Sequence, residues 1–325
     1  MTAVQPLSPF VAADPARLNP AKFRDPRVTA TGEPRASVPL AGLETLWFNT
    51  GTLCNIACLN CYIGSSPKND ALAYLTAAEV EACLDEVAAL GLATREIGFT
   101  GGEPFMNREI VAMVEAALAR GFEALVLTNA MRPMRRFEKP LLALRERHGE
   151  RLTLRVSLDH HTAAVHDAER GAGGFAKSLD GLVWLARNGF ALAVAGRRLP
   201  DESDAGARAA FQRLFDAHDL GIDAGDPARL VLFPEMDARV DVPEITEACW
   251  GILGKSPAEV MCATSRMVVK RRGAARPVVL SCTLLPYDER FEMGAALAEA
   301  LGPVALNHPH CAKFCVLGGA SCSAR

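Results

Sequence analysis

Between Leu43 and Glu235, short apolar runs alternate with amphipathic stretches six times over. LETLWFN (43–49), EIGFTG (96–101), EALVLTN (123–129), LTLRVSLD (152–159), FALAVAG (190–196) and RLVLFPE (229–235) read as strands. TAAEVEACLDEVAALG (76–91), NREIVAMVEAALARG (107–121), FAKSLDGLVWLARNG (175–189) and RAAFQRLFDAHD (208–219) read as helices, with FEKPLLALRERHG (137–149) a broken one. Thr76 and Asn107 stand where N-caps belong, and Gly91 and Gly121 where helices stop. Strands separated by helix-length connections predict an α/β fold with a parallel sheet. Continuous apolar runs such as ALVL and LVLF fit a sheet covered on both faces. No Gly-rich phosphate loop follows the first strand, so a Rossmann or P-loop reading has no support.

Outside this stretch the pattern changes. Residues 1–42 are rich in Pro, Ala and Arg without a sustained period, and read as an irregular arm. After Met236, SRMVVKR (265–271) and PVVLS (277–281) read as a β-hairpin inside a smaller second domain, 237–325. The composition is 50% hydrophobic and 22% charged, which excludes a disordered or fibrous chain. A net charge of -3 gives no basic excess for nucleic acid or an acidic membrane. The longest uncharged stretch, Thr45–Pro67, carries Asn49, Asn55 and Asn60 and is no bilayer span. The first residues lack a basic start and apolar core, so a cytoplasmic location is expected. In a reducing compartment, ten cysteines point to metal or catalysis rather than disulfides.

Three of them stand at C-x3-C-x2-C: Cys54, Cys58 and Cys61, in the loop after the first strand. Three thiolates can hold three irons of a [4Fe–4S] cube and leave the fourth open to a ligand. Gly101-Gly102-Glu103-Pro104 ends the second strand. The two motifs at successive strand ends resemble the radical SAM superfamily, from Leu43 to Met236. The resemblance implies a partial (β/α)6 TIM-type barrel with its site at the C-terminal strand ends. It implies that the open iron binds S-adenosylmethionine and that Gly101–Pro104 receives its ammonium, with Glu103 and backbone carbonyls accepting hydrogens. By the same resemblance Thr128-Asn129, Ser157 and Asp159 would lie near the cofactor, Arg197 and Arg198 would meet its carboxylate, and Tyr62 would flank the cluster. Glu103, Ser157 and Glu235, at strand ends, are the candidate catalytic groups.

Cys262 and Cys282 flank the hairpin, and Cys311, Cys315 and Cys322 follow in HPHCAKFCVLGGASCS. This arrangement resembles the SPASM and twitch extensions of radical SAM enzymes, which hold auxiliary [4Fe–4S] clusters. Five cysteines suffice for one fully ligated cluster and not for two, hence a short, cysteine-rich α+β extension of the twitch type. The expected ligands are Cys262, Cys282, Cys311 and Cys315, with Cys322 as substitute; zinc held with His308 or His310 is the alternative. Cys83 and Cys249 read as packing residues, and His160 and His161 as a surface pair.

The resemblance implies reductive cleavage of S-adenosylmethionine to a 5′-deoxyadenosyl radical that abstracts hydrogen, with a flavodoxin- or ferredoxin-type electron donor. A 42-residue arm is short for a leader-recognition domain, so a small-molecule substrate is expected first. A peptide or protein maturase is the alternative. A non-catalytic iron–sulfur redox sensor or electron carrier is the reading from another class, and would not need Gly101–Pro104.

Overall fold

The computed structural model describes residues 8–11, 16–234 and 237–319. A two-residue strand, β1 (Ser37–Val38), comes first. Then follow β2 (Thr45–Asn49), α1 (Ala77–Ala89), β3 (Glu96–Thr100), α2 (Ile110–Ala119) and β4 (Glu123–Thr128). Next come α3 (Arg132–Arg135), α4 (Glu138–His148), β5 (Leu152–Ser157), α5 (Ala163–Arg170), α6 (Gly174–Arg187), β6 (Ala191–Arg197), α7 (Asp204–Ala217) and β7 (Leu230–Phe233). The C-terminal region adds α8 (Cys249–Leu253), β8 (Ser265–Val269), β9 (Val278–Leu280), β10 (Glu292–Gly294), β11 (Val304–Ala305) and a π-helical stretch, Cys311–Leu317.

Strands β2 to β7 lie side by side in chain order, each parallel to the next. Every crossover therefore steps the same way, which curls the sheet into the partial (β/α)6 barrel. Side chains alternate across it as the period of two demands. Leu46 and Phe48 join Ile97, Phe99 and Val126 in the core under α1 and α2, while Trp47 belongs to an inner cluster with Met267, Leu280 and Phe314. Helix α1 starts at a capping box: Thr76 Oγ1 accepts from the Glu79 N–H (3.2 Å) and Glu79 Oε2 from the Thr76 N–H (2.9 Å). Its face Val80, Leu84, Val87 is buried against that outer core.

The C-terminal region departs from a free-standing hairpin. Strand β8 pairs in parallel with β2, Thr45 opposite Ser265 and Phe48 opposite Val268, and β9 and β10 continue antiparallel. They extend the sheet to nine strands, in the order β10-β9-β8-β2-β3-β4-β5-β6-β7. The hairpin strands are legible locally, but a pairing across more than two hundred residues has no local signal. The arm is tied down in the same way: β1 pairs with β11, and buried Arg35 forms an ion pair with Glu244 and donates to the Leu306 carbonyl (3.2 Å). Among the described residues no helix is long and apolar enough to cross a membrane.

Candidate active site

The C-terminal ends of β2 to β7 surround a cavity of about 170 Å³ that opens to solvent. Cys54, Cys58 and Cys61 line it together. Gly101 and Gly102 from the end of β3, Thr128 and Asn129 from β4, Ser157 and Asp159 from β5, and Arg197 from β6 complete the ring. Phe233 and, from the C-terminal region, Thr283, Leu284 and Phe314 close the far side.

The cysteine loop is laid on the β3 end by backbone contacts. The Gly102 N–H donates to the Gly51 carbonyl (2.8 Å) and the Glu103 N–H to the Leu53 carbonyl (3.1 Å). A Cβ on Gly102 would sit 2.3 Å from Leu53 O; one on Gly101, at φ +137°, would sit 2.5 Å from Gly51 O. The two glycines therefore let the cysteine loop and the β3 end touch, a reason besides close approach to a ligand. Gly102→Ala is expected to cost about 1–3 kcal/mol, since backbone rather than a side chain must yield. Thermal unfolding and the iron content of the first site report it, and an unchanged melting temperature would refute this account.

Glu103 and Pro104 stand behind the cavity wall rather than on it. Pro104 opens the 3-10 turn Pro104–Met106. Glu103 is 2% exposed. Its Oε1 accepts from the Phe105 N–H (3.1 Å) and the Thr128 hydroxyl (2.8 Å), and Oε2 from the Asn129 N–H (2.8 Å). Burial pushes its pKa up to about 7 against the pull of these donors. In this geometry Glu103 binds the ends of β3 and β4 together, and the cavity is offered Gly101, Gly102 and Asn129. The Asn129 amide donates to Asn55 Oδ1 (2.9 Å) and lies 4.0 Å from Cys54 Sγ.

Helix α5, which the sequence pattern does not reveal, supplies Glu169 and Arg170. Arg170 lines the cavity and holds Asp159 through two bonds, Nε to Oδ2 (2.6 Å) and Nη2 to Oδ1 (2.9 Å). Asp159 lines the cavity too, with each carboxylate oxygen accepting one of these bonds. Glu169 is 1% exposed and braces the cysteine loop by accepting from the Asn60 N–H (2.7 Å). It also accepts from the Ser8 hydroxyl (2.6 Å) and pairs with Arg197 (3.4 Å). Arg197 lies between the rings of Phe10 and Tyr62, at 4.3 and 5.0 Å. Its Nε and Nη2 are buried without a hydrogen-bond partner among the described residues. Arg198, just past the end of β6, is exposed and does not line the cavity.

The thiols themselves are shaped for a cation. Burial pushes Cys54 up to about 11 and Cys58 up to about 12, so thiolates at these two positions are costly unless a cation neutralises them. The charged guanidinium of Arg170, which lines the same cavity, opposes that rise at Cys54 and Cys58. Cysteines, an adjacent fixed cation and the orphaned Arg197 nitrogens fit an iron–sulfur cluster with an anionic ligand.

A second group forms in the C-terminal region. Cys262, Cys282, Cys311 and Cys315 line one small cavity with His310. Cys262 sits in the turn before β8, where the buried Arg266 donates to its carbonyl (2.6 Å). Burial pushes Cys262 and Cys311 up to about 12, and Cys282 and Cys262 respectively raise them further. Leu284 lines this cavity and the first, and Phe314, between Cys311 and Cys315, lines the first.

Other expected residues fall elsewhere. Cys322 and Glu235 lie outside the described residues. Cys83 packs against the outer core, and Cys249 against the inner one. His160 is 3% exposed, not a surface residue: it packs with His161 beside Phe10, and neither histidine lines the cavity. Burial pushes His160 and His166 down to about 4. Both are neutral in the folded state while the unfolded chain takes up protons near its ordinary value of 6.5. Their contribution is full above pH 6.5 and is lost as pH falls from there to about 4. We expect urea unfolding to lose on the order of 1–3 kcal/mol per histidine over that range, and His166→Phe to flatten the loss.

A model of the radical SAM superfamily matches residues 48–203. The mycofactocin maturase MftC of Mycobacterium ulcerans is 34% identical over 138 residues, 42% of this chain and 35% of the relative. The antilisterial bacteriocin subtilosin biosynthesis protein AlbA of Bacillus subtilis is 28% identical over 169 residues, 52% of this chain and 35% of that one. The match thus spans about a third of these relatives' length. Among solved structures, Streptococcus suis SuiB bound to S-adenosylmethionine superposes with a TM-score of 0.57 at 12% identity, over 79% of this chain and 64% of SuiB. Residues 48–203, just under half of the chain, are thus similar to the radical SAM superfamily. The likeness to SuiB at 12% identity shows the fold, a partial barrel of the same architecture.

Proposed function

We propose that this chain is a radical SAM enzyme that matures a peptide or protein, the alternative reading, rather than a small molecule, the reading expected first. The observation that carries the proposal is the 34% identity over 138 residues to a protein named a maturase, with a second relative named for bacteriocin biosynthesis. The aromatic far wall, Tyr62, Phe233 and Phe314, beside an open mouth suits a side chain presented on a longer substrate.

Cys54, Cys58 and Cys61 hold the first cluster. Gly101, Gly102 and Asn129 offer backbone and amide groups to S-adenosylmethionine, Ser157 a hydroxyl, and Arg170 and Arg197 fixed positive charge. When bound, the cofactors supply one-electron, hydrogen-abstracting chemistry. Tyr62, Phe233 and Phe314 exclude water from that space. Cys262, Cys282, Cys311 and Cys315 hold the auxiliary cluster, and a flavodoxin- or ferredoxin-type donor delivers the electron. Glu103 acts as a positioning group, and Glu235 remains a candidate for contact with substrate.

The test uses the short peptides encoded beside this gene. Reconstituted enzyme, reductant and S-adenosylmethionine are incubated with each, and peptide mass and 5′-deoxyadenosine are measured together. A peptide mass change that tracks 5′-deoxyadenosine is the expected result. Turnover stimulated by a small metabolite and by none of the peptides would overturn the proposal.

A further inference from the structure

We propose that His310 is a positioning residue of the C-terminal metal centre, its ring N–H donating a hydrogen bond to a sulfur of the cluster held by Cys262, Cys282, Cys311 and Cys315. This rests on the reading of those cysteines as ligands of one cluster. His310 is 7% exposed and lines the same cavity as the four thiols. The rest of that wall is apolar, with Val260, Leu284, Phe291 and Val304 among it. Its Nδ1 is buried without a hydrogen-bond partner among the described residues. The residue is held in place: its backbone N–H donates to His308 Nδ1 (3.1 Å), and the two rings meet edge to face at 4.6 Å.

A neutral imidazole carries one N–H and one lone pair, and burying either unpaired is costly. The four cysteines already satisfy the four irons of a cube, so no iron needs the imidazole. What the cavity then offers as acceptors is sulfur, from thiolate or bridging sulfide. Hydrogen bonds to those sulfurs favour the more negative, reduced cluster and raise its potential.

The experiment is a redox titration of reconstituted full-length enzyme followed by electron paramagnetic resonance. It compares wild type, His310→Leu and His310→Gln, with Cys282→Ala identifying the wave of the C-terminal cluster. We expect His310→Leu to keep the wild-type iron count but shift that wave negative by about tenfold in its equilibrium, near 59 mV for one electron. His310→Gln, which keeps an N–H, should recover much of the shift, and the first cluster's wave should not move. An unmoved wave in His310→Leu overturns the proposal. So does nitrogen hyperfine coupling in the wild type strong enough for direct ligation to iron. Wild-type protein holding only one cluster defeats the cysteine reading itself, and the iron count separates that failure from failure of the hydrogen bond.

Discussion

Cys58→Ala protein, reconstituted anaerobically, should hold about four irons where the wild type holds about eight. It should form no 5′-deoxyadenosine. With one thiolate gone, two cysteines remain at the first site, and the cube loses an anchored corner. Cys282→Ala should also fall to about four irons, but from the other site. Its first cluster should persist and still cleave some S-adenosylmethionine, while the substrate is not converted. The two cavities share Leu284 as a wall, and its N–H lies 3.4 Å from Cys282 Sγ, so the cavities are adjacent yet lined by different cysteines. The measurements are iron, nucleoside and substrate product on the same samples. Full substrate conversion by Cys282→Ala would remove the C-terminal cysteines from the mechanism. Loss of both clusters in that variant would mean that the sites assemble as one unit.

The sequence carried the barrel because its signals are local. Each strand from β2 to β7 is a short apolar run and each long helix has an apolar stripe. The two motifs fall at strand ends, where side chains converge. What stayed hidden shares one property: its partners are distant or polar. Helix α5 is eight residues long and its buried residues are His166 and Glu169, so no apolar period announces it. Yet it brings Arg170 to the cavity and Glu169 to the cysteine loop. The parallel pairing of β8 with β2 has no trace in either segment alone. Glu103 was legible as part of a motif, but its three donors from Phe105, Thr128 and Asn129 depend on how β3 and β4 are registered. The four C-terminal cysteines were legible as a group, whereas the role of His310 beside them required the shape of their cavity.

Arg170 is the residue whose replacement should separate fold from chemistry most sharply. Burial by itself would raise the pKa of Asp159, yet the Arg170 guanidinium outweighs it and holds that carboxyl below its ordinary value. In Arg170→Gln the carboxylate is left buried without its cation, which costs about 3–5 kcal/mol. The double variant Arg170→Gln, Asp159→Asn removes the stranded charge, and most of that stability should return in urea or thermal unfolding. Cleavage of S-adenosylmethionine should not return with it. Arg170 lines the cavity and its charge acts on Cys58 and Cys61, and a pair of neutral amides in place of the two charged groups supplies no cation there. A charge-assisted interaction of about 1.5–3 kcal/mol corresponds to one to two decades in cofactor affinity, so both variants should bind S-adenosylmethionine that much more weakly. If the double variant regains cleavage together with stability, Arg170 only braces Asp159. If it regains stability alone, the guanidinium serves the cluster and its ligand directly.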